Sequence, residues 1–171
     1  ERGIQALSKV ADALSSLEMD NIRVIGTYTL RAAGNSKKFV KRAAEVFPYP
    51  IEIVPGTEEA RLIYQGVAST HSSTGKRIVI DIGGGSTEFA AGLGFDTKLL
   101  RSLHMGSVSF TEAYFSDGSI SNKAYKKAFT AAKQELELIE DKYNNFNSEH
   151  FIGCSGTIRN LSVIASNDDA G

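Results

Sequence analysis

Asp81-Ile82-Gly83-Gly84-Gly85-Ser86-Thr87-Glu88 follows a run of isoleucine and valine that begins after Arg77. A nearly continuous β-branched run predicts a central strand that is buried on both faces of a sheet. The three glycines then need a physical reason, because each costs roughly 0.5 to 1 kcal/mol relative to alanine in regular structure. Close approach to phosphate is such a reason, since successive N–H groups form a concave nest for anionic oxygens. The stretch therefore predicts a strand that ends in an anion-binding loop.

The side chains around this loop suit phosphate bound together with a divalent cation. Ser86 and Thr87 add hydroxyl donors to the glycine backbone. Phosphate would repel the carboxylate of Asp81 unless a cation lay between them, so we expect Asp81 to hold Mg²⁺ or another divalent cation. Glu88, two residues beyond the loop, could hold the same metal or position water. The alternatives are a glycine-rich hairpin with a structural Asp and, for Glu88, a solvated carboxylate on a strand. The motif is neither a Walker A loop nor G-x-G-x-x-G.

A second turn of the same composition follows a short predicted strand at residues 150–152. It reads Gly153-Cys154-Ser155-Gly156-Thr157 and precedes a predicted helix. The unbonded N–H groups at a helix N-terminus could hold another phosphate. Alone, this turn does not distinguish a phosphate site from an ordinary strand-to-helix connection.

Hydrophobic periodicity and the positions of turn and capping residues divide the chain into alternating helices and strands. This is the pattern of α/β architecture. The first half predicts helices at residues 4–17, 36–47 and 58–67 and strands at residues 22–25 and 51–54. The second half predicts strands at residues 77–82, 87–92, 98–104 and 150–152, one long helix from Ser121 to Tyr143, and a helix after Gly156. We expect a linker at residues 69–75, which are rich in Ser, Thr and Gly.

Composition limits the class of protein. The 171 residues, 42% of them hydrophobic, suffice for one ordinary domain or two small lobes. Lys and Arg (19) nearly balance Asp and Glu (20), so a phosphate site must be local. Basic segments interleaved with aromatic residues are absent, and we expect no nucleic-acid binding. The single cysteine and the lack of a signal or a long apolar run predict a cytoplasmic protein without integral membrane association.

Five stretches occur together in the order and spacing of one protein family. They are Gly26 to Ala33, Gly56 to Leu62, Val79 to Glu88, Met105 to Phe110 and Gly153 to Ile158. Through this combination, nearly the whole chain resembles the exopolyphosphatase and guanosine pentaphosphate phosphatase (Ppx/GppA) family. The resemblance implies an α/β, ribonuclease H-like fold of the actin-like ATPase type, with two lobes of mixed sheets flanked by helices.

The resemblance also implies an activity and the residues that perform it. Members hydrolyse inorganic polyphosphate, guanosine pentaphosphate, or both, with the help of Mg²⁺ or another divalent cation in a cleft between the lobes. The catalytic glutamate falls on Glu59, and the metal site falls on Asp81 and Glu88. The implied substrate-binding and phosphate-binding residues are Arg31, Asn35, Gly83, Gly84, Gly85, Ser86, Thr87, Gly106, Ser107, Gly153, Ser155, Gly156 and Thr157.

Helical periodicity gives Glu59 independent support. Glu59 shares a helical face with the apolar Ile63 and Val67, whereas Glu58 is rotated away by about 100°. A carboxylate at the end of an apolar stripe is partly desolvated, which suits a general base that orients water for attack on the terminal phosphorus. The alternative is a glutamate that only favours the helix macrodipole, and a surface ion pair is the corresponding alternative for Arg31.

The resemblance sets expectations for domain organisation. Residues 1–74 would form the C-terminal part of a first lobe, and residues 75–171 an incomplete second lobe. Family members begin with an additional strand-loop-strand and a first phosphate loop, which has no counterpart before Glu1, so we expect the first lobe to be truncated. A homodimer of the parent protein is one assembly that the resemblance allows.

Two rival functions stay open at this stage. One is an actin-like kinase that transfers the γ-phosphate of ATP to an acceptor. The other is a non-catalytic module that binds guanosine tetraphosphate or polyphosphate. The sequence does not choose between polyphosphate and the guanosine nucleotide, and it leaves the metal and the processivity open.

Overall fold

The computed structural model describes residues 1–72 and 74–168. The chain divides into two compact units, Glu1–Pro55 and Gly56–Gly171. Ser73, in the expected linker, and residues 169–171, in the expected second lobe, lie outside the described residues. In the described part of the chain, no helix combines the length and the apolar character that crossing a membrane requires.

The first unit pairs two short parallel strands. Its elements are α1 (Arg2–Leu14), β1 (Val24–Gly26), α2 (Tyr28–Ala32), α3 (Ser36–Ala43) and β2 (Ile51–Ile53), with a 3₁₀ turn at Met19–Asn21. Val24 lies opposite Ile51 in the β1–β2 ladder. Phe47 and Tyr49 are buried and pack edge to face, with ring centroids 5.2 Å apart. This unit therefore has a small aromatic core of its own.

Two details of the first unit differ from the sequence prediction. The strand predicted at residues 22–25 begins at Val24, because the ladder with β2 starts there. Helix α2 is not predicted, since its five residues are too few to show a helical period. The helix begins where the N–H groups of Leu30 and Arg31 both donate to the carbonyl of Thr27 at 3.0 Å.

The second unit is built on a four-stranded sheet. Its elements are α4 (Gly56–Thr70), β3 (Lys76–Ile82), β4 (Thr87–Leu93), β5 (Asp96–Leu103), α5 (Ser107–Tyr114), α6 (Asn122–Glu137), α7 (Glu140–Asn144), β6 (His150–Cys154) and α8 (Ser155–Asp168). The strand order is β5-β4-β3-β6. β3 to β5 form an antiparallel meander, and β6 returns parallel to β3. The four predicted strands of this unit are confirmed, but three helices rather than one lie between the third strand and the fourth.

Each face of this sheet carries an apolar cluster. On one face, Tyr64 and Val67 of α4 pack on Val79 and Ala90. On the other face, Tyr143 of α7 belongs to a cluster with Ile78, Phe89, Ala91, Leu103 and Ile139. β3 contributes to both clusters, as its unbroken run of Ile and Val predicts.

Helix α4 belongs to the second unit by its packing. The sequence prediction groups residues 56–74 with the first lobe, whereas the compact unit that contains α4 begins at Gly56. The reason is that the buried face of α4 lies on β3 and β4. The assignment of residues 1–74 and 75–171 to two actin-like lobes stays a prediction.

The prediction of one long helix up to Tyr143 is wrong. α6 ends at Glu137 and α7 begins at Glu140. Ile139 lies between them and is 4% exposed, and Tyr143 donates its hydroxyl to the carbonyl of Phe89 at 2.8 Å. Because Ile139 and Tyr143 keep the four-residue spacing of a helix across the break, periodicity alone does not reveal it.

Candidate active site

The glycine loop (residues 83–86) connects β3 to β4 as a tight turn. The N–H of Gly83 donates to the carbonyl of Ser86 at 3.0 Å, and a Cβ on Gly83 would lie 3.1 Å from that oxygen. Within the described residues, the N–H groups of Gly84 and Gly85 have no hydrogen-bond acceptor. The loop thus presents backbone donors of the kind that bind anionic oxygens.

Helix α5, which the sequence does not predict, braces the glycine loop. Its first three N–H groups donate to the carbonyl oxygens of Gly83 and Gly84 at distances between 2.7 and 3.0 Å. Gly106 packs so closely on the loop that a Cβ there would lie 2.6 Å from the carbonyl carbon of Gly84. The first N–H groups of any helix lack intrahelical partners, and here the loop supplies them. Tertiary contact therefore explains a helix whose sequence shows no clear period.

Three of the residues assigned to phosphate support the loop itself. Thr87 is 1% exposed and donates its hydroxyl to the carbonyl of Met105 at 2.6 Å. The hydroxyl of Ser107 donates to the carbonyl of Gly83 at 3.3 Å, and Gly106 is buried against the loop. Their contacts with phosphate stay predictions, whereas the observed contacts hold the glycine loop in place.

Asp81 and Glu88 lie opposite each other on β3 and β4. The row continues to Cys154 on β6 and to Ser102 on β5. Because directly opposed residues project from the same face of a sheet, these four side chains lie on the face that α4 covers. The two predicted metal ligands are therefore neighbours beside the glycine loop.

Hydrogen bonds hold the carboxylate of Glu88 inside the protein. Glu88 is 3% exposed, and its Oε1 accepts from the hydroxyl of Ser102 at 2.7 Å. The hydroxyl of Ser86 donates a second hydrogen bond to this carboxylate. The Oδ1 atom of Asp81 is also buried, and it has no hydrogen-bond partner among the described residues. Ser102 is a site residue that the sequence reading missed.

Burial raises the pKa of Glu88 above its usual value. The hydrogen bonds from Ser102 and Ser86 oppose this rise, and the negative charges of Glu59 and Asp81 add to it. The charges of two carboxylates therefore act on a third, Glu88, beside a loop of backbone donors. A divalent cation held there would relieve their repulsion.

The donor set suits a hard cation that keeps other ligands. Carboxylate oxygens are the ligands that Mg²⁺ prefers, and the unpartnered Oδ1 of Asp81 is such an oxygen. No cluster of three or more His, Cys, Asp or Glu among the described residues could hold a metal by itself. Mg²⁺ is commonly bound by one or two carboxylates together with water and substrate phosphate, so the remaining ligands would be of those kinds.

The first turn of α4 distinguishes two glutamates that are adjacent in the sequence. Glu58 forms a two-pronged ion pair with Arg61, with N···O distances of 2.7 and 2.8 Å. Glu59 is half-buried, and its negative charge raises the pKa of Glu88 on the neighbouring sheet. This arrangement agrees with the helical face predicted for Glu59, and its catalytic role stays a prediction. Arg61, which the sequence reading did not single out, engages Glu58.

The second glycine turn (residues 153–157) comprises the end of β6, which runs parallel to β3, and the first residues of α8. The hydroxyl of Ser155 donates to the carbonyl of Ile82 at 2.9 Å, so the turn lies next to the end of β3. Ser155 has a φ of 68°, in the left-handed region. Gly153, Ser155 and Gly156 are exposed, and Thr157 is half-buried. Their contacts with phosphate stay predictions.

Arg31 and Asn35 lie in the first unit. Arg31 is in the last turn of α2 and donates from Nη1 to the carbonyl of Val54 at 2.8 Å. Asn35 is the N-cap residue of α3, is exposed, and makes no side-chain capping bond. The phosphate contacts assigned to both residues stay predictions.

Comparison with known proteins identifies the relatives of this chain. The model of the Ppx/GppA phosphatase family matches residues 1–170. The chain is 43% identical to a putative exopolyphosphatase of Haemophilus influenzae, over 98% of this chain and 52% of that protein. It is 41% identical to a guanosine-5'-triphosphate,3'-diphosphate pyrophosphatase of Aliivibrio fischeri, over 96% of this chain and 33% of that protein. The chain thus spans about half, or less, of these relatives.

A solved structure shows the same fold. The Aquifex aeolicus PPX-GPPA enzyme matches 97% of this chain with a TM-score of 0.75 and 26% sequence identity, over 54% of its own length. The predicted α/β, actin-like fold is confirmed by this likeness.

Proposed function

The chain belongs to the Ppx/GppA phosphatase family, and on that premise we propose that it forms part of a phosphohydrolase. The enzyme would release terminal orthophosphate from inorganic polyphosphate, guanosine pentaphosphate, or both, by metal-assisted attack of water. One observation carries the proposal: the buried carboxylate of Glu88 lies opposite Asp81 and is influenced by Glu59, beside a loop of backbone donors.

The glycine loop would bind and orient the phosphate. Donors that are held in place before the reaction need no reorganisation when charge develops on phosphate oxygens. The hydrogen bonds from α5 and the close packing of Gly106 supply that rigidity. The exposed Gly84 is the part of the loop that a ligand reaches from solvent.

Glu59 would act as the general base. Glu59 is half-buried in the first turn of α4 and lies near enough to Glu88 to influence it, and a carboxylate in that place can activate a water molecule. Glu58 lacks this role because Arg61 engages both of its carboxylate oxygens.

Asp81 and Glu88 would hold Mg²⁺ or another divalent cation. The buried, unpartnered Oδ1 of Asp81 and the charges gathered around Glu88 support this assignment. When bound, the cation would neutralise charge on the phosphate oxygens. Ser102 and Ser86 would keep the carboxylate of Glu88 in one orientation.

We extend the proposal to a cytoplasmic setting, where turnover of guanosine pentaphosphate would contribute to the stringent response. The thiol of Cys154, which is free of any disulfide, is in keeping with a reducing compartment.

The test is Mg²⁺-dependent phosphate release by the full-length protein from polyphosphate, guanosine pentaphosphate and ATP. We expect Glu59→Gln to lower kcat roughly 100-fold to 10,000-fold, the range that general acid–base catalysis contributes. Glu58→Gln is the matched control and should keep most of the activity, since its partner is Arg61. Full activity in Glu59→Gln, or turnover of ATP only with an acceptor, would favour the kinase. Tight binding without turnover would favour the non-catalytic module.

A further inference from the structure

Helix α6 carries a basic groove that the proposed mechanism does not use. The groove has a volume of about 740 Å³ and lies between Tyr114 of α5 and one side of α6. We call it the lysine groove and define it by Tyr114, Lys123, Lys126, Lys127, Thr130 and Gln134. It lies wholly within the second unit, as does the glycine loop.

In the part of the chain that the structure describes, the three lysines of the groove have no carboxylate partners. Among the described residues, no Asp or Glu lies within ion-pair distance of Lys123, Lys126 or Lys127. Further along the same helix, Lys133 lies 4.0 Å from Glu137. Spacings of three and four residues place side chains side by side on a helix, so the three ammonium groups reach the same groove. Positive charge is thus concentrated locally in a chain of formal net charge −1.

The charges of α6 also oppose the stability of the helix. Its first turn contains no acidic residue, and its last turn contains no basic residue. The N-terminus of a helix is partly positive, so a lysine such as Lys123 in the first turn lowers helix stability rather than raising it. The stability of α6 therefore does not explain the lysines near its N-terminus, whereas attraction of an anion does.

Helix α5 connects the lysine groove to the glycine loop. The N-terminal amides of α5 bind the loop carbonyls, and its last residue, Tyr114, lines the groove. The seven residue steps from Ser107 to Tyr114 correspond to about 10 Å of α-helix. A single phosphate does not span this distance, whereas a chain of linked phosphates does.

We propose that the lysine groove binds linear polyphosphate beyond the units held at the glycine loop, and that it favours long chains over short ones. The inference rests on the proposed phosphohydrolase function. Lysine suits such a ligand because its ammonium is a compact point charge that accepts a repeating anion in many orientations. The ring of Tyr114 already packs edge to face on Phe110, with centroids 5.2 Å apart, so the groove presents charges rather than an aromatic platform for a base.

The test compares two triple variants of the full-length protein that change the net charge equally. The groove variant combines Lys123→Gln, Lys126→Gln and Lys127→Gln. The control combines Lys98→Gln, Lys133→Gln and Lys142→Gln, which lie outside the groove. For long-chain polyphosphate, we expect KM of the groove variant to rise roughly tenfold with kcat unchanged, the sum of three exposed charge contacts. KM for tripolyphosphate should not change, and the control should match the wild type with both substrates.

Equal changes in the two triple variants, or equal changes with long and short substrates, would overturn the inference. Unfolding temperature is the accompanying measurement, and it should be at or above the wild-type value because Lys123 leaves the helix N-terminus. A loss of affinity in the groove variant then reports on the groove and not on unfolding.

Binding of fluorescently labelled long-chain polyphosphate without divalent cation separates this inference from the proposed hydrolysis. Weaker binding by the groove variant alone would support the groove even if no protein released phosphate. Unchanged binding would overturn it even where hydrolysis is intact. Displacement of the label by an oligonucleotide of equal charge, at equal concentration, would show that the groove does not select polyphosphate and would also overturn the proposal.

Discussion

The glycine loop and the second glycine turn share a sequence pattern but differ in their support. Both lie at the C-terminal ends of two strands of one sheet, β3 and β6, that run side by side in parallel. The glycine loop receives three amide hydrogen bonds from α5 and leads into the buried Thr87 and Glu88. The second glycine turn is largely exposed, and the hydroxyl of Ser155 ties it to β3.

The glycine loop is therefore a rigid candidate site for phosphate, whereas the second glycine turn is an adjustable one. Donors fixed by packing act without reorganisation, whereas donors in an exposed turn must be ordered by the ligand. We therefore expect the reacting phosphate at the glycine loop and a smaller contribution from the second glycine turn.

Among the tests of this comparison, the largest expected effect comes from a methyl group at Gly106. The new Cβ would lie 2.6 Å from backbone atoms of Gly84, so α5 and the glycine loop would have to separate. We expect Gly106→Ala to lower kcat/KM for phosphate release about 100-fold, the scale on which small displacements reduce catalysis. Gly66→Ala is the control, because no atom outside its chain neighbours and the backbone of its own helix lies within 4 Å of the added Cβ, and it should keep full activity. Similar activity in both variants would show that the contact with α5 does not position the glycine loop.

The second prediction concerns the buried charge that adjoins the glycine loop. Because burial raises the pKa of Glu88, the folded protein keeps this proton at pH values where the unfolded chain has released it. The free energy of unfolding should therefore fall as pH rises from the usual value of 4.5 through the raised pKa. Without divalent cation, Glu88→Gln should remove this fall and unfold at a higher temperature at neutral pH. The measurement is the unfolding temperature as a function of pH.

Two controls sharpen this prediction. Glu112→Gln removes an exposed carboxylate from α5 and should leave the pH profile as in the wild type. Mg²⁺ should reduce the fall in the wild type but not in Glu88→Gln, because a bound cation favours the charged carboxylate. If the unfolding temperature depended on pH in the same way in the wild type and in Glu88→Gln, the predicted effect of burying the Glu88 carboxylate would be wrong.

The smallest predicted effect tests the second glycine turn. The left-handed φ of Ser155 costs an L-residue about 1 kcal/mol, and its hydrogen bond to Ile82 contributes about 1 kcal/mol. Ser155→Ala keeps the strain and loses the bond, so we expect about 1 kcal/mol of destabilisation in urea unfolding. Ser155→Gly loses the bond and relieves the strain, so its stability should stay near that of the wild type. Equal losses in the two variants would mean that the turn carries no strain.

Local pattern was enough to predict the four strands of the second unit. The Ile and Val run of β3 predicted a strand buried on both faces, and Ile78 and Val79 do lie in different clusters. The same pattern placed the glycine loop at the end of this strand. The predictions missed α2 and α5 because both helices are short, and α5 is in addition held at its N-terminus by carbonyls of the glycine loop.

The register of the β4–β5 hairpin could not be predicted from local sequence patterns. The ladder begins with Leu93 opposite Asp96, which by simple counting would place Arg101 opposite Glu88. A bulge between Ala91 and Gly92 shifts the pairing by one residue, so that Ser102 faces Glu88 instead. Gly92 permits the bulge, because a side chain there would collide with the carbonyl of Asp96.

Periodicity and turn chemistry, which depend on neighbouring residues, were sufficient for the α/β architecture, the glycine loop and the helical face of Glu59. Contacts between distant segments arose only in the folded chain. The contact between α5 and the glycine loop, the hydrogen bond from Ser102 to Glu88 and the position of Tyr114 beside the lysines of α6 all join residues that packing brings together. They are set by the burial of apolar faces and by the hydrogen-bonding needs of helix ends, which no short stretch of sequence specifies.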